Sequence, residues 1–337
     1  MIGFCIGAIF LVIAGISPAV AYGKLIDSVF SKPKYMVWTL VYAAPVIFTG
    51  LSVAFSFRTG VFNIGAEGQY IVGSVAACVV GILFHLPPVV HALVCILAAA
   101  IAGCLWSLIV GILKTKRGIH EVLSFIMFNW IAYYLQNYIV NLPAIHKQSG
   151  GEATENVADA ARILLPEGLM RSLDCSGANW GFVFAVIAAI VIYIIIEKTT
   201  LGYQLKAVGF NKNAAEFAGI NVNRSMLTAL GISGALAGLG GAMQTLGMSG
   251  RLSQLAAQEG FGFEGITVAL IAGSNPLGCI FSGIFYGAMK YGGSKLTMVK
   301  APSEVVNIIM GCVIIFIAIS QVFKTVFTSI GKKKKEA

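Results

Sequence analysis

Long apolar stretches, separated by short polar segments, dominate the chain. Several of them reach about 18 residues or more, the length that crosses a hydrocarbon core of about 30 Å as a helix. The predicted spans are residues 1–22, 36–57, 89–113, 119–142, 179–196, 225–248 and 303–323. The pattern predicts an all-α, polytopic transmembrane helical bundle in a single domain over residues 1–337, with about eight to ten spans once broken or re-entrant helices are counted.

Composition supports the same class of protein. Apolar residues make up 58% of the 337 residues and charged residues only 11%, whereas soluble domains average about 25% charged. The net charge of +9 collects at the edges of the apolar stretches, where basic residues orient a protein in the membrane. We therefore expect membrane lipid, and no nucleic acid, among the partners of this chain.

The sequence lacks the motifs of common enzymes and metal sites. It contains no G-x-x-x-x-G-K-[ST] loop for ATP, no H-E-x-x-H zinc motif and no G-x-S-x-G nucleophile motif. We therefore expect no catalytic residue, no metal ligand and no cofactor in this chain.

A polar, basic segment over residues 197–224 lies between two apolar stretches. Four basic residues face two acidic ones within it, and short loops with this bias stay on the cytoplasmic side of the membrane. Residues 211–218 are predicted to form a short helix, with Asn211 or Asn213 as its N-cap and Gly219 as its stop.

The same short helix carries two small side chains, Ala214 and Ala215, over which another protein could approach closely. We therefore predict that the segment 197–224 docks a soluble partner on the cytoplasmic side. The alternative, which the spacing leaves open, is an ordinary solvated loop.

The longest polar segment covers residues 143–178. Its five acidic residues outnumber three basic ones, so it lacks the positive bias of a cytoplasmic loop and is predicted to be an external loop. A short helix is predicted within it, near residues 155–164.

Another polar stretch, residues 58–70, runs directly between apolar sequences. Three glycines weaken helix formation there, and Asn63, Glu67 and Gln69 bring polar groups close to or into the membrane. A carboxylate at that depth is costly unless it is paired or faces a cavity, so it indicates function by default. We predict that these three side chains line a substrate path. The alternative is that Glu67 pairs with Arg58 as a structural clamp.

Two further residues are candidates for the same path. Asn129 lies nearest the centre of the span 119–142, where it either lines the path or bonds a neighbouring helix. Glu264 lies in a stretch that a Gly-Ser-Asn-Pro sequence at 273–276 breaks into two halves. Because broken helices with polar breaks form binding or gating elements in transporters, the break is a candidate gate.

Glycines recur in the predicted span 225–248. Gly231, Gly234, Gly238 and Gly241 follow one another at spacings of three and four. This spacing puts them on one helix face and predicts that a neighbouring helix approaches closely there.

Two long motifs carry a resemblance to a known family. The run G-V-F-N-I-G-A-E-G-Q at 60–69 resembles the signature of permease subunits of ABC importers for simple sugars and nucleosides, in a group that also serves ribose and branched-chain amino acids. The run L-G-Y-Q-L-K-A-V-G-F-N-K-N-A-A-E-F-A-G-I at 201–220 resembles that group's cytoplasmic coupling loop. The segment G-F-E-G-I-T-V-A-L-I-A-G-S-N-P at 262–276 also fits, so the resemblance covers nearly the whole chain.

The resemblance implies a transport subunit, not an enzyme, in the cytoplasmic membrane of a bacterium. ATP and Mg²⁺ would be bound by a separate cytoplasmic ABC ATPase, whose groove would receive residues 203–220. A second, related permease would complete a heterodimer, and an extracellular substrate-binding protein would deliver nucleosides, or else simple sugars, for alternating access. The coupling positions that match are Gly209, Asn211, Ala214, Ala215 and Gly219.

Two other functions stay open at this point. An ion-coupled secondary transporter of a small polar solute would use Glu67 or Glu264 as a proton or sodium site, and its uptake would collapse with an uncoupler. A structural membrane subunit would show no transport defect when Glu67 is changed.

Overall fold

The structure is a computed structural model that describes residues 2–148, 150–300, 302, 304–312 and 315–316. Within these ranges the chain consists of helices joined by turns and loops, and its β-structure is limited to three isolated bridges between loop residues. The prediction of an all-α fold is therefore confirmed.

The helices follow the apolar stretches closely. In chain order they are α1 (Ile2–Ile13), α2 (Pro18–Phe30), α3 (Pro33–Arg58), α4 (Ala66–Leu83), α5 (Val90–Arg117), α6 (Glu121–Val140), α7 (Glu167–Ser172), α8 (Gly181–Lys198), α9 (Thr200–Phe210), α10 (Lys212–Phe217), α11 (Val222–Gln244), α12 (Phe261–Ile271) and α13 (Pro276–Ser294). Single turns of 3-10 helix lie at Asp159–Ala161 and Leu296–Val299, and a π-helical turn at Thr245–Ser249 follows α11.

The chain divides into two compact units. One comprises Met1–Thr39 and Ala288–Ala337, and the other comprises Leu40–Gly287. In the first unit α1 and α2 are joined by a hydrogen bond of 2.6 Å from Tyr22 Oη to the carbonyl oxygen of Phe4. The second unit contains the candidate site residues.

Five of the described helices are long and apolar enough to cross a membrane: α3, α4, α5, α8, and α11 together with its π turn. In α3, 83% of the most apolar window is buried, against 28% in α5 and in α8. α3 is thus surrounded by protein, while α5 and α8 turn apolar faces outward, as helices do that contact lipid. The chain is a multi-pass membrane protein, and the total of about eight to ten spans remains a prediction.

The predicted first span over residues 1–22 is wrong as a single helix. α1 ends at Ile13 and α2 begins at Pro18. Gly15 between them adopts a left-handed backbone with φ of 75°, and proline starts a helix readily but does not continue one.

Of the helix predicted near residues 155–164, only the single 3-10 turn Asp159–Ala161 is present. The described part of that loop has only the 3-10 turn and the six-residue helix α7. The predicted last span, 303–323, lies partly outside the described residues; within it, 304–312 and 315–316 are helical.

The break predicted at 273–276 is confirmed. α12 is eleven residues long, and Gly273 and Ser274 after it both have positive φ. The side chain of Asn275 then accepts hydrogen bonds from the backbone N–H groups of Leu277 (3.0 Å) and Gly278 (3.3 Å). This cap starts α13 as a separate helix.

The glycine stripe of α11 lies against α4 and α5, as its spacing predicts. A Cβ atom at Gly238 would overlap the carbonyl oxygen of Ala99, and one at Gly241 would overlap that of Tyr70. Gly73 on α4 and Gly103 on α5 face the same stripe equally closely. Small residues therefore let three helices pack backbone to backbone in the centre of this unit.

Candidate functional site

Asn63 and Gln69 face each other in the interior of the bundle. Asn63 Nδ2 donates to Gln69 Oε1 at 2.9 Å, and Gln69 Nε2 donates to Asn63 Oδ1 at 3.0 Å. Asn63 Nδ2 also donates to Ser233 Oγ on α11 at 2.7 Å, and this hydroxyl lies 2.9 Å from Ser52 Oγ on α3. All four side chains are buried. The cluster ties the non-helical residues 59–65 to three helices, which is how irregular backbone becomes tolerable at membrane depth.

Glu67, in the first turn of α4, holds the start of α12. Its Oε1 accepts the backbone N–H of Gly260 at 2.7 Å, and its Oε2 accepts that of Gly262 at 2.6 Å. The first N–H groups of a helix have no partner within the helix, and its dipole favours a negative charge there. A Cβ atom at Gly262 would overlap the backbone of Glu67, so glycine permits the contact. The fully buried carboxylate therefore joins two helix starts.

The alternative pairing of Arg58 with Glu67 is wrong. Arg58 Nε donates to the carbonyl oxygen of Ser274 at 3.1 Å, and Nη1 lies 4.0 Å from Glu197 Oε1. The other oxygen of Glu197 accepts from Lys206 Nζ at 2.9 Å. Arg58 thus connects the end of α8 and the start of the coupling segment to the break after α12.

Asn129 on α6 caps the start of α4. Its Oδ1 accepts the backbone N–H of Gly68 at 2.9 Å, and its Nδ2 donates to the carbonyl oxygen of Ile64 at 3.1 Å. The side chain is buried. The sequence left two roles open for Asn129, lining the path or bonding a neighbouring element. The hydrogen bonds to a neighbouring element are observed in this conformation.

Glu264 lies close enough to Glu67 for the two carboxylates to interact electrostatically. It is in the first turn of α12, is partly buried and interacts with the phenol of Tyr286 on α13. The structure thus brings Asn63, Glu67, Gln69 and Asn129 together around the start of α4, and Glu264 follows one turn inside α12. The hydrogen bonds of the first four are made within the chain, and their role as path-lining residues remains a prediction.

The short helix predicted in the coupling segment is confirmed as α10. Asn211 is its N-cap, accepting the backbone N–H of Ala214 at 3.1 Å, and Gly219 follows its end with φ of 80°. Gly209, just before it, lies so close to the end of α3 that a Cβ atom would overlap the carbonyl oxygen of Arg58. Three of the five predicted coupling residues therefore fix the position and ends of α10.

The two alanines of α10 differ in their exposure. Ala214 is exposed, whereas Ala215 is buried in an apolar cluster of the same chain that includes Val61, Val208 and Leu230. The exposed face of α10 can therefore meet a partner through Ala214 but not through Ala215.

Two phenylalanines beside this face were missed in the sequence. Phe210 ends α9 with 90% of its surface exposed, and Phe217 ends α10 with 95% exposed. Aromatic residues, phenylalanine among them, are enriched in the buried cores of protein interfaces. The available signal was their occurrence in a polar, basic segment, where an apolar side chain has no lipid to face.

The described residues contain no group of three or more His, Cys, Asp or Glu side chains that could hold a metal ion. The site is therefore assembled from amides, hydroxyls, one buried carboxylate and backbone groups.

The family model for the permease component of the branched-chain amino acid transport system matches residues 35–318. The guanosine ABC transporter permease protein NupP of Bacillus subtilis is 38% identical over 335 residues, which cover 99% of this chain and 95% of NupP.

Two further relatives extend the comparison. The glucose ABC transporter permease protein TsgB13 of Haloferax volcanii is 31% identical over 325 residues, 95% of this chain and 85% of TsgB13. A second protein of Bacillus subtilis, the guanosine ABC transporter permease protein NupQ, is 29% identical over 257 residues, 74% of this chain and 78% of NupQ.

Proposed function

The chain belongs to the family of permease components of the branched-chain amino acid transport system, and from this premise we propose that it is the membrane-spanning permease subunit of an ABC importer for nucleosides. The observation that carries the proposal is its similarity to NupP over nearly the full length of both chains. The chain acts in the cytoplasmic membrane of a bacterium, and ATP and Mg²⁺ bind to a separate ATPase subunit.

The exposed face of α10 is the proposed contact with that ATPase. Its support is geometric: a short helix capped at both ends projects an exposed Ala214, with Phe210 and Phe217 exposed beside it. The two aromatic rings supply apolar anchors, and Ala214 allows the groove of the partner to approach closely.

Movement at α10 reaches the interior through the end of α3. Gly209 lies against the backbone of Arg58, and the Arg58 guanidinium donates to the carbonyl oxygen of Ser274 at the break between α12 and α13. The other end of α12 is held by Glu67. α12 is thus a short rigid rod with one end tied to the coupling segment and the other to α4, an arrangement suited to rigid-body gating.

In this mechanism Asn63, Glu67, Gln69, Asn129 and Glu264 border the substrate path, and the change to an inward-open state exposes polar groups whose interactions are here made within the chain. An extracellular binding protein delivers the substrate to the outer loops. The support for these roles is the concentration of buried polar side chains where α4 and α12 begin.

A second permease, related but not identical, completes the pair in this proposal. NupP and NupQ are both named as guanosine permeases of one organism, and this chain is similar to both. A heterodimer of this chain with a NupQ-like partner follows from that pairing.

Simple sugars are the second candidate substrate, because TsgB13 is named as a glucose permease and its similarity extends over almost as much of this chain as that of NupP. Labelled guanosine and labelled glucose can be supplied to cells that carry the chain and to a strain that lacks it. We expect guanosine uptake that requires the chain, depends on cellular ATP and continues when an uncoupler has collapsed the ion gradient.

Uptake of glucose in place of guanosine would change the substrate but keep the importer. Uptake that stops with the uncoupler and persists without ATP would overturn the proposal in favour of the ion-coupled transporter.

A further inference from the structure

A small polar cavity lies at the end of α11, beside the π-helical turn. Its volume is about 80 Å³. It is bounded by α4, α6, the π turn and the connector between that turn and α12. The residues that meet there include Ser74 on α4, Gln136 on α6, Thr245 in the π turn, and Arg251 and Glu259 on the connector. No site predicted from the sequence includes these residues.

Three buried polar atoms on residues that border this cavity have no hydrogen-bond partner within the described structure: Ser74 Oγ, Gln244 Oε1 and Thr245 Oγ1. Thr245 is fully buried, and Ser74 is 3% exposed. Buried polar groups are almost always paired, because leaving one unpaired is unfavourable. The amides around the start of α4 follow that rule, whereas these three atoms, all on residues that border one cavity, keep unused hydrogen-bonding capacity.

The connector that closes the cavity is held firmly by α6. Tyr133 Oη donates to the carbonyl oxygen of Leu255 at 2.8 Å, and Asn137 Oδ1 accepts the backbone N–H of Leu255 at 2.8 Å. Gln136 Nε2 donates to the carbonyl oxygen of Ser253 at 3.1 Å. Since Arg251 and Ser253 on this connector are exposed, the cavity has fixed walls and is reached from the surface of the chain.

The lining selects a neutral ligand that both donates and accepts hydrogen bonds. The hydroxyls of Ser74 and Thr245 can do either, and Gln244 Oε1 accepts. Arg251 and Glu259 contribute one positive and one negative charge, so the lining as a whole favours neither a cation nor an anion. At roughly 30 Å³ per water molecule, the cavity holds two or three oxygen-sized groups, so it suits one edge of a sugar ring and excludes a whole nucleoside.

The geometry points to a subsite for the vicinal hydroxyl groups of a sugar, supplied either by the ribose of a nucleoside or by a free sugar. This assignment rests on the proposed function and adds to it the place where the hydroxylated part of the substrate is held. Thr245 is the residue to test first, because its hydroxyl is unpaired and it lies in the π turn, a feature common at functional sites.

Binding to the purified full chain in lipid nanodiscs tests the assignment without any partner subunit. Saturation-transfer NMR would compare guanosine, free ribose and glucose with 2′,3′-dideoxyguanosine, which lacks both ribose hydroxyls. We expect the dideoxy compound to bind at least about tenfold more weakly than guanosine, the equivalent of about one or two lost hydrogen bonds. Binding of guanosine and ribose but not glucose assigns the hydroxyls to a nucleoside, and binding of glucose alone assigns them to a free sugar.

Variants place the binding in the cavity. Thr245→Val removes the hydroxyl at nearly constant shape and is expected to weaken binding to a similar extent, while Thr245→Ser, which keeps the hydroxyl, retains it. Thr228→Val on the same helix is the matched control, since Thr228 bonds the carbonyl oxygen of Arg224 at 2.8 Å on an exposed surface, and it should leave binding unchanged.

Equal binding of guanosine and its dideoxy analogue, or binding that Thr245→Val leaves intact, would overturn the assignment. If none of the four compounds shows saturable binding, the assignment is also overturned, and the cavity holds water only. ATP-dependent guanosine uptake in cells alongside either result would show that the importer proposal stands and the subsite alone has failed.

Discussion

Glu67 offers the sharpest distinction between a structural carboxylate and an ion-binding one. Its two oxygens accept the backbone N–H groups of Gly260 and Gly262 at 2.7 and 2.6 Å, and it is fully buried. We predict that Glu67→Ala and Glu67→Gln reduce transport because they release the start of α12 and so destabilise the fold.

The size of the effect follows from the groups left unpaired. A buried N–H without an acceptor costs about 1–3 kcal/mol, so Glu67→Ala, which strands two of them, is expected to lower the free energy of unfolding by roughly 2–6 kcal/mol. Glu67→Gln keeps one acceptor oxygen but turns an NH₂ group toward the other N–H, and should lower it by roughly 1–3 kcal/mol. Loss of the charge at the helix start adds about 0.3–2 kcal/mol in each variant.

The stabilities of the wild type and the two variants can be compared by thermal unfolding of the purified chain, followed by the fluorescence of its four tryptophans. The unfolding midpoint should fall from the wild type to Glu67→Gln and further to Glu67→Ala, and guanosine uptake should fall with the amount of folded protein. Glu264→Gln is the matched control, because Glu264 is a glutamate in the first turn of α12, the helix that Glu67 holds, but is only partly buried. A Glu67→Gln variant with an unchanged midpoint and no uptake would refute the reasoning and indicate a proton or sodium site.

Three further predictions concern packing and coupling. Gly234→Ala should lower the unfolding midpoint, since its Cβ would overlap the carbonyl oxygen of Gly103, at a cost of about 1–3 kcal/mol; Gly231→Ala, whose Cβ meets its nearest neighbour at 3.4 Å, should be tolerated, and equal effects would contradict the close packing. Ala214→Asp should prevent co-purification of the ATPase without changing the unfolding midpoint. Ala215→Asp should lower the midpoint, because it buries an unpaired charge. A lower midpoint in Ala214→Asp and an unchanged one in Ala215→Asp would contradict the orientation of α10. Arg58→Gln should raise the ATP hydrolysed per guanosine transported, as measured in proteoliposomes of the whole importer, and an unchanged ratio would exclude Arg58 from coupling.

Much of the helical architecture was predictable from the sequence because hydrophobic length, glycine spacing and caps are local signals. Asn211 was recognisable as a cap and Gly219 as a stop, and the glycines of α11 predicted close helix packing. The break between α1 and α2 also had a local signal, in Gly15 and Pro18, which the continuous apolar composition of residues 1–22 outweighed.

The partner of Glu67 was not predictable in the same way. Its carboxylate bonds backbone N–H groups 193 and 195 residues further along the chain, and a backbone donor has no side-chain signature. Arg58, the nearest cation in sequence, was therefore the obvious partner, yet it contacts Ser274 and Glu197. The polar cavity was missed for a related reason, since Ser74 and Thr245 lie far apart in sequence and become a site only where α4 and the π turn meet.

The central claim is that this chain works as one subunit of an ATP-driven importer. Affinity purification of the chain from detergent-solubilised native membranes, with mass spectrometry of the proteins that accompany it, tests this most directly. We predict recovery of an ABC ATPase, a second related permease and an extracellular binding protein, with loss of the ATPase in Ala214→Asp. A chain that is reproducibly recovered alone, while guanosine uptake persists in the same cells, would contradict the account.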